Sequence, residues 1–172
     1  MRPLLVLIII ALSSSAQAQW GNSQSPYAPR VPNRTPPSLA QAMLQAHSAV
    51  RTRVGVPPLV WSDQLAEVAK DWADHLIATG GLSHRPDNRY GENLYAISGG
   101  TASPAQVVDF WAAEARGYDI RSNSCRGVCG HYTQIVWGKT RAVGCAVATD
   151  RRREVWVCNY DPPGNVTGYR PY

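Results

Sequence analysis

Residues 143–160 read VGCAVATDRRREVWVCNY, and this stretch predicts two adjacent β-strands. Both of its ends are rich in β-branched and aromatic residues and flank a polar turn, Asp150–Arg153, which is typical of a β-hairpin. If the two residues that flank the turn face each other, Cys145 faces Cys158, with Cβ atoms about 4.5–5.5 Å apart. That separation is slightly wider than a disulfide prefers but within easy adjustment. The sequence therefore predicts an antiparallel hairpin closed by a Cys145–Cys158 bridge.

The N-terminus has the pattern of an export signal. Arg2 precedes an unbroken apolar run, Leu4–Leu12, and Ala16-Gln17-Ala18 matches a signal-peptidase site of the A-x-A kind. We expect residues 1–18 to be a signal peptide and the protein to be secreted, to the periplasm if a Gram-negative bacterium makes it. No later segment approaches the roughly 20 apolar residues that a bilayer span needs, so we expect no transmembrane anchor.

Export places the four cysteines in an oxidising compartment, where disulfides form. Four cysteines allow three pairings. The hairpin register selects Cys145–Cys158, which leaves Cys125–Cys129 by elimination. The alternative, a zinc site built on the C-x3-C pair, is disfavoured in an exported chain.

Composition limits the class of partner. The chain has 172 residues, 17 basic and 12 acidic side chains, and a single basic run, Arg151–Arg153. A nucleic-acid surface needs a longer basic stripe, so we expect no nucleic-acid partner. Residues 19–37 contain five prolines and two serines and are predicted to be a linker. The length of the remainder fits one folded domain over residues 38–172, which we expect to be monomeric.

The rest of the chain reads as helices followed by strands. Ser38 and Gln41 form a capping-box pattern before a first helix, and Ser103-Pro104 begins a third. A second helix is predicted between Ser62 and Gly80. Strand-like stretches are His131–Trp137, Val143–Thr149 and Glu154–Tyr160. Helices first and antiparallel strands later predict an α+β domain whose core lies between helices.

Four polar residues interrupt these patterns. Glu114 shares a helix face with Val107 and Trp111, although a carboxylate on an apolar face is costly unless it is paired. His47 lies one turn after Met43 at the rim of the first helix's apolar face. We place His131 at the start of a strand and Glu92 in a loop. Taken singly, each fits an ordinary structural role, such as a hydrogen-bonded core histidine or a loop cap.

Four motifs together resemble a known family. Residues 130–140 read GHYTQIVWGKT, residues 155–165 read VWVCNYDPPGN, residues 91–94 read GENL, and residues 47–51 read HSAVR. In this order and spacing they resemble the signatures of the CAP superfamily, which joins cysteine-rich secretory proteins, antigen 5 and plant pathogenesis-related class 1 proteins. Ser48 stands where the family usually has asparagine. Leu82-Ser83-His84 ahead of Tyr90-Gly91-Glu92-Asn93 resembles the plant branch in particular.

The resemblance implies a fold and a site. The fold is a three-layer α-β-α sandwich with a central, mainly antiparallel sheet. The site is a cleft tetrad, His47, Glu92, Glu114 and His131, in which His47 and His131 bind zinc or another divalent cation, as imidazole suits zinc. The same two disulfides are implied. A third family bridge is absent, with Gly80 and Asp150 at its positions, which predicts a looser link between the second helix and the hairpin.

Two functions remain open at this point. In the first, the domain is a non-enzymatic binding module in defence or host interaction, with a divalent-metal cleft and a sterol or fatty acid in an apolar groove of the first and third helices. In the second, it is a metal-dependent hydrolase, a peptidase in which Glu92 or Glu114 activates a zinc-bound water. Neither G-x-S-x-G nor H-E-x-x-H occurs in the sequence, which favours binding over catalysis.

The last eleven residues, 162–172, resemble the tail that plant class 1 proteins release as a signalling peptide. Three prolines and two glycines resist regular structure, and chain ends are preferred sites of nicking. The alternative, which we favour, is that the tail packs back across the sandwich with Tyr169 and Tyr172 buried.

Overall fold

The computed structural model of the protein describes residues 37–172. The predicted signal peptide and nearly all of the predicted linker lie outside the described residues. The elements, in chain order, are α1 (Leu39–Arg53), β1 (Val60–Trp61), α2 (Asp63–Thr79), β2 (Gly91–Ser98), α3 (Pro104–Ala112), a 3-10 turn (Ala113–Gly117), β3 (Tyr118–Asp119), β4 (Ser124–Cys125), α4 (Gly130–Ile135), β5 (Ala142–Thr149) and β6 (Arg153–Asp161). Within residues 37–172, no helix has the length and apolar character to cross a bilayer.

A four-stranded sheet forms the middle layer, with strand order β1-β5-β6-β2. The short β1 pairs parallel to β5, and the other two pairings are antiparallel. Helix α2 packs on one face against Val155 and Val157 of β6. Helices α1, α3 and α4 cover the other face around Trp156, Cys158 and Tyr160. This confirms the α+β, three-layer α-β-α fold with a mainly antiparallel sheet.

The three long helices begin where the sequence predicts. Ser38 accepts a hydrogen bond from the Gln41 N–H while the Gln41 side chain accepts from the Ser38 N–H, which satisfies two free donors at the start of α1. Ser103 and Gln106 repeat this arrangement at α3. Helix α2 ends at Gly80, whose φ of +76° is the left-handed conformation that glycine adopts without strain.

The hairpin register is as predicted, and so are both disulfides. Thr149 pairs with Glu154, and Cys145 with Cys158, across β5 and β6. The bridges are Cys145–Cys158, in the core under α1 and α3, and Cys125–Cys129, which joins the exposed Cys125 of β4 to the buried Cys129 that precedes α4.

The predicted strand His131–Trp137 is wrong, because this segment begins with helix α4. Its β-branched and aromatic residues favour a strand, but a carboxylate from elsewhere in the chain caps the helix. Glu114 Oε2 accepts hydrogen bonds from the backbone N–H groups of His131, at 2.9 Å, and Tyr132, at 3.2 Å. Such N–H groups have no partner within the helix itself, and a negative charge near them is favourable.

The loop predicted around Glu92 is also wrong, because residues 91–98 form β2, the edge strand beside β6. The polar start of this strand resembles a loop in sequence. Gly91 is required there, since a Cβ at this position would lie 2.0 Å from Gln134 Oε1. Gln134 is itself buried, and Oε1 accepts from the Gly164 N–H at 3.0 Å.

The C-terminal tail packs against the domain. The Gly138 N–H donates to the Pro171 carbonyl at 2.7 Å, and the Thr133 hydroxyl donates to the Asn165 side chain at 2.6 Å. The expected burial of the tail tyrosines is wrong, because Tyr169 is 60% and Tyr172 39% exposed. The tail is held through the Pro171 carbonyl, through the side chains of Asn165 and Arg170, and through the burial of Pro171.

Candidate functional site

A cleft of about 290 Å³ opens along the edge strand β2. The segment between α2 and β2 supplies one side, and α3 and α4 supply the other. The lining residues are Leu82, Ser83, His84, Leu94, Tyr95, Ala96, Phe110 and His131. Two histidines from distant parts of the chain therefore face one small, largely apolar space.

Glu114 fixes the ring of His131. The turn after α3 directs the Glu114 carboxylate toward α4, and Nδ1–H of His131 donates to Oε1 at 2.6 Å. The other oxygen accepts from the N-terminal amides of α4, so both carboxylate oxygens are engaged. Trp111 lies nearly parallel to the imidazole and donates from Nε1 to the Leu94 carbonyl at 2.9 Å.

Glu92 orients the ring of His84 through the same kind of contact. Nδ1 of His84 lies 2.7 Å from Oε1 of Glu92, and the Arg85 N–H donates to the same oxygen at 3.1 Å. The Asn88 side chain donates to Oε2 at 3.2 Å. The Glu92 side chain is 4% exposed and that of His84 is 65% exposed. The hydrogen bond to this carboxylate raises the pKa of His84 above its usual 6.5, despite partial desolvation of the ring.

The two pairs leave the same ring atom free in each histidine. When Nδ1–H donates to a carboxylate, the neutral imidazole carries its lone pair on Nε2. Neither Nε2 atom has a hydrogen-bond partner among the described residues. This is the arrangement by which proteins orient metal-binding histidines, with a carboxylate behind the ring. The cleft therefore presents two oriented imidazole rings.

His47 does not lie in this cleft, and the expectation that it does is wrong. It is fully buried in α1, where Nδ1–H donates to the Met43 carbonyl at 2.8 Å and Nε2 accepts from the Tyr160 hydroxyl at 2.9 Å. Burial lowers its pKa to about 4, so the ring is neutral at pH 7. Both nitrogens are used inside the core, and no atom is left to bind a metal.

Arg51, at the other end of the same motif, has an equally structural role. It is buried and donates to the backbone carbonyls of Pro57, Ile135, Trp137 and Thr140. The motif at residues 47–51 thus ties α1 to α4 and to the segment that follows it.

The structure therefore places one of the four predicted site residues, His131, in the lining of the cleft, with Glu114 behind its ring, and it adds His84, with Glu92 behind that ring. Within residues 37–172, no three His, Cys, Asp or Glu side chains are grouped closely enough to form a complete metal site. The sequence signal for His84 was present, since Leu82-Ser83-His84 precedes Glu92 in the plant-like pattern. The resemblance of residues 47–51 to a family motif places His47 in the tetrad instead.

Comparisons with known proteins agree on one family. The model of the "Cysteine-rich secretory protein family" (CAP) matches residues 44–160. Pathogenesis-related protein 1A of Nicotiana tabacum is 41% identical over 170 residues, which covers 97% of this chain and 90% of that protein. Venom allergen-like protein 4 of Schistosoma mansoni has a similar structure, with a TM-score of 0.65 and 28% identity over 80% of this chain and 95% of that one. A structure of NaASP2 with Zn2+ has a TM-score of 0.65 at 21% identity, over 82% of this chain and 88% of that one, and supports the fold.

Proposed function

The chain belongs to the CAP family of cysteine-rich secretory proteins, and from that premise we propose that it is a secreted, defence-related binding protein whose cleft holds a divalent cation between His84 and His131. One observation carries the proposal: each histidine is oriented by a carboxylate bound to Nδ1, and Nε2 remains free in the shared cleft. Secretion rests on the N-terminal signal pattern, and N-terminal sequencing of the exported protein should begin at Gln19.

The chemistry of the donors suits zinc or a similar cation. Imidazole nitrogen is a common zinc ligand, and two protein ligands leave positions for water or for a ligand from solution. Glu92 and Glu114 balance the added charge without being ligands themselves, because each already holds a ring in place. With only two protein ligands, we expect exchangeable binding, weaker than in a closed structural site.

The alternative of a metal-dependent peptidase has less support from the same geometry. A general base needs a carboxylate oxygen that can take a proton from water. Both oxygens of Glu92 and both of Glu114 already accept hydrogen bonds from the protein. We therefore expect no zinc-dependent turnover of a peptide library. Turnover that requires zinc and disappears in Glu92→Ala and Glu114→Ala would overturn the non-enzymatic assignment.

A groove between α1 and α3 supports a second ligand, an acyl chain or sterol. Small side chains leave a space of about 560 Å³ there, lined by Pro37, Ala42, Gln45, Ala46, Ala49, Arg53, Ser103, Pro104, Ala105 and Asp109. Alanines on one helix face keep the groove open, and Arg53 at its rim suits a fatty-acid carboxylate.

A fluorescent fatty acid tests the groove. Ala46→Trp should fill the groove and abolish binding, whereas Gln64→Trp on the exposed side of α2 should leave binding unchanged. Equal binding by both variants would remove the groove as the site.

A further inference from the structure

A second surface, formed by the C-terminal tail, shares no lining residue with the cleft. Two adjoining hollows of about 540 and 690 Å³ lie here, and both are lined by Trp137, Val166 and Tyr169. We call this surface the tail patch and define it by its apolar residues Val128, Pro162, Pro163, Val166 and Tyr169.

Several exposed apolar side chains cluster in the tail patch. Among residues 37–172, seven large hydrophobic residues are exposed, and three of them lie here: Val128 at 67%, Val166 at 47% and Tyr169 at 60%. Single exposed apolar residues are ordinary, but a contiguous group around a concave surface marks an interaction site. The patch is therefore a candidate contact surface.

The chain holds this patch in place. Asn165 accepts from the Thr133 hydroxyl and donates to the Gly130 carbonyl at 2.9 Å. Arg170 donates to the carbonyls of Ile120, at 3.0 Å, and Arg121, at 2.8 Å. The Pro171 carbonyl accepts from Gly138. Because the backbone is fixed on both sides of Val166 and Tyr169, these side chains stay exposed rather than folding into the core.

Basic side chains outnumber acidic ones near the apolar residues of the tail patch. The segments that form the surface, 118–130, 137–141 and 161–172, carry five basic side chains and two acidic ones. Lys139 and Arg141 line the larger hollow, and Lys139 Nζ lies 5.2 Å from the centre of the Tyr169 ring. Of the two acids, Asp119 is already bonded to Ser122 and to the Arg121 N–H, and Asp161 is exposed beside Pro162.

We propose that the tail patch docks the protein on an anionic lipid surface. Aromatic and aliphatic side chains that enter the interface, ringed by lysine and arginine that contact headgroups, are the combination that binds such membranes. A second copy of the chain is a poorer occupant, because pairing two copies of this surface would bring its basic side chains together. Docking does not depend on the metal cleft or on the α1–α3 groove.

Sterol-free vesicles in buffer with EDTA test the proposal. EDTA removes the cation proposed for the cleft, and the absence of sterol removes a ligand proposed for the α1–α3 groove. The full-length secreted protein should co-sediment with phosphatidylcholine vesicles that contain about a third phosphatidylserine, and not with pure phosphatidylcholine. The double change Lys139→Glu, Arg141→Glu should weaken binding by at least about tenfold, as roughly expected from loss of two headgroup contacts. Val166→Ser, Tyr169→Ser should also weaken it, although this variant keeps every charge.

The matched control is Arg151→Glu, Arg152→Glu, which makes the same charge change at the exposed hairpin turn. That turn lies at the opposite end of the nine-residue strand β6, about 25–30 Å away at the usual rise of a strand. The control should bind as the wild type does, and circular dichroism should show all variants folded. The proposal would be overturned if the control lost as much vesicle binding as the Lys139→Glu, Arg141→Glu variant. It would also be overturned if the wild-type protein bound pure phosphatidylcholine vesicles as well as it binds anionic ones. Full competition by inorganic phosphate at low concentration would overturn it as well and would assign a free-anion site instead.

Discussion

Nδ1 of His84 lies 2.7 Å from Oε1 of Glu92, a carboxylate that is itself almost fully buried. The pair combines an exposed ring with a buried, hydrogen-bonded anion, so the orientation of the ring is set from inside the protein. His131 and Glu114 repeat this relationship across the cleft. The candidate site thus consists of two carboxylate–histidine pairs.

The first prediction concerns the pKa of His84. The Glu92 carboxylate stabilises the imidazolium, so an NMR titration should give a pKa above 6.5. In Glu92→Gln the pKa should fall, because the negative partner is gone. Glu67→Gln, on the exposed side of α2, should leave it unchanged. The pair stabilises the fold fully below pH 6.5, and this contribution is lost as the pH rises through the folded-state pKa.

His47 should make the domain sensitive to acid. Its folded-state pKa of about 4 lies below the usual 6.5, so the unfolded chain binds the proton more tightly. Stability should fall as the pH drops from about 6.5 to 4, by on the order of 3 kcal/mol at the lower end. Urea unfolding across this range measures the slope. In His47→Gln the slope should be smaller, and an unchanged slope would assign the acid sensitivity to other groups.

Glu114 should stabilise the fold as well as orient the His131 ring in the cleft. A glutamine at this position has one accepting oxygen and no negative charge, so it cannot accept from both the Nδ1–H of His131 and the amides at the start of α4. Glu114→Gln should therefore cost about 1–3 kcal/mol in urea unfolding. Glu67→Gln, which changes the same charge on the surface, should cost less than about 0.5 kcal/mol. Comparable losses in the free energy of unfolding for the two variants would show that the Glu114 cap does not stabilise α4.

Arg153 should stabilise the contact where the third family disulfide is missing. Its guanidinium donates to the carbonyls of Leu76, Gly80 and Gly81, at the end of α2. The predicted loosening between helix and hairpin is thus offset by three charged hydrogen bonds. Arg153→Ala should cost about 1–3 kcal/mol. Arg152→Ala, one residue away and exposed, is the control and should be within about 0.5 kcal/mol of wild type.

Local signals in the sequence predict much of this fold. Ser38, Ser62 and Ser103 cap the helices as expected, because a cap and its partner lie within three residues. The turn at residues 150–153 sets the register of β5 and β6, and hence the Cys145–Cys158 bridge. These features depend on near neighbours in the chain, which a sequence displays directly.

The features that sequence reasoning missed depend on distant partners. Helix α4 looks like a strand until Glu114, sixteen residues before the helix begins, supplies its cap. Distant partners also decide which histidine lies in the cleft. The resemblance of residues 47–51 to a family motif predicts a site role for His47, yet Met43 and Tyr160 satisfy both of its ring nitrogens in the core. His84 lies in a segment without regular structure, and only the fold brings it to the cleft.

Zinc titration of the metal-free protein by calorimetry tests whether His84 and His131 hold the cation. His84→Ala and His131→Ala should each abolish the main binding phase, because each removes one of two ligands. His47→Gln, confirmed as folded by circular dichroism, should bind as the wild type does. Acidification through the pKa of His84 should release the metal, since a protonated imidazole is not a ligand. Full binding by His84→Ala, with loss in a folded His47→Gln, would show that the cation is bound elsewhere.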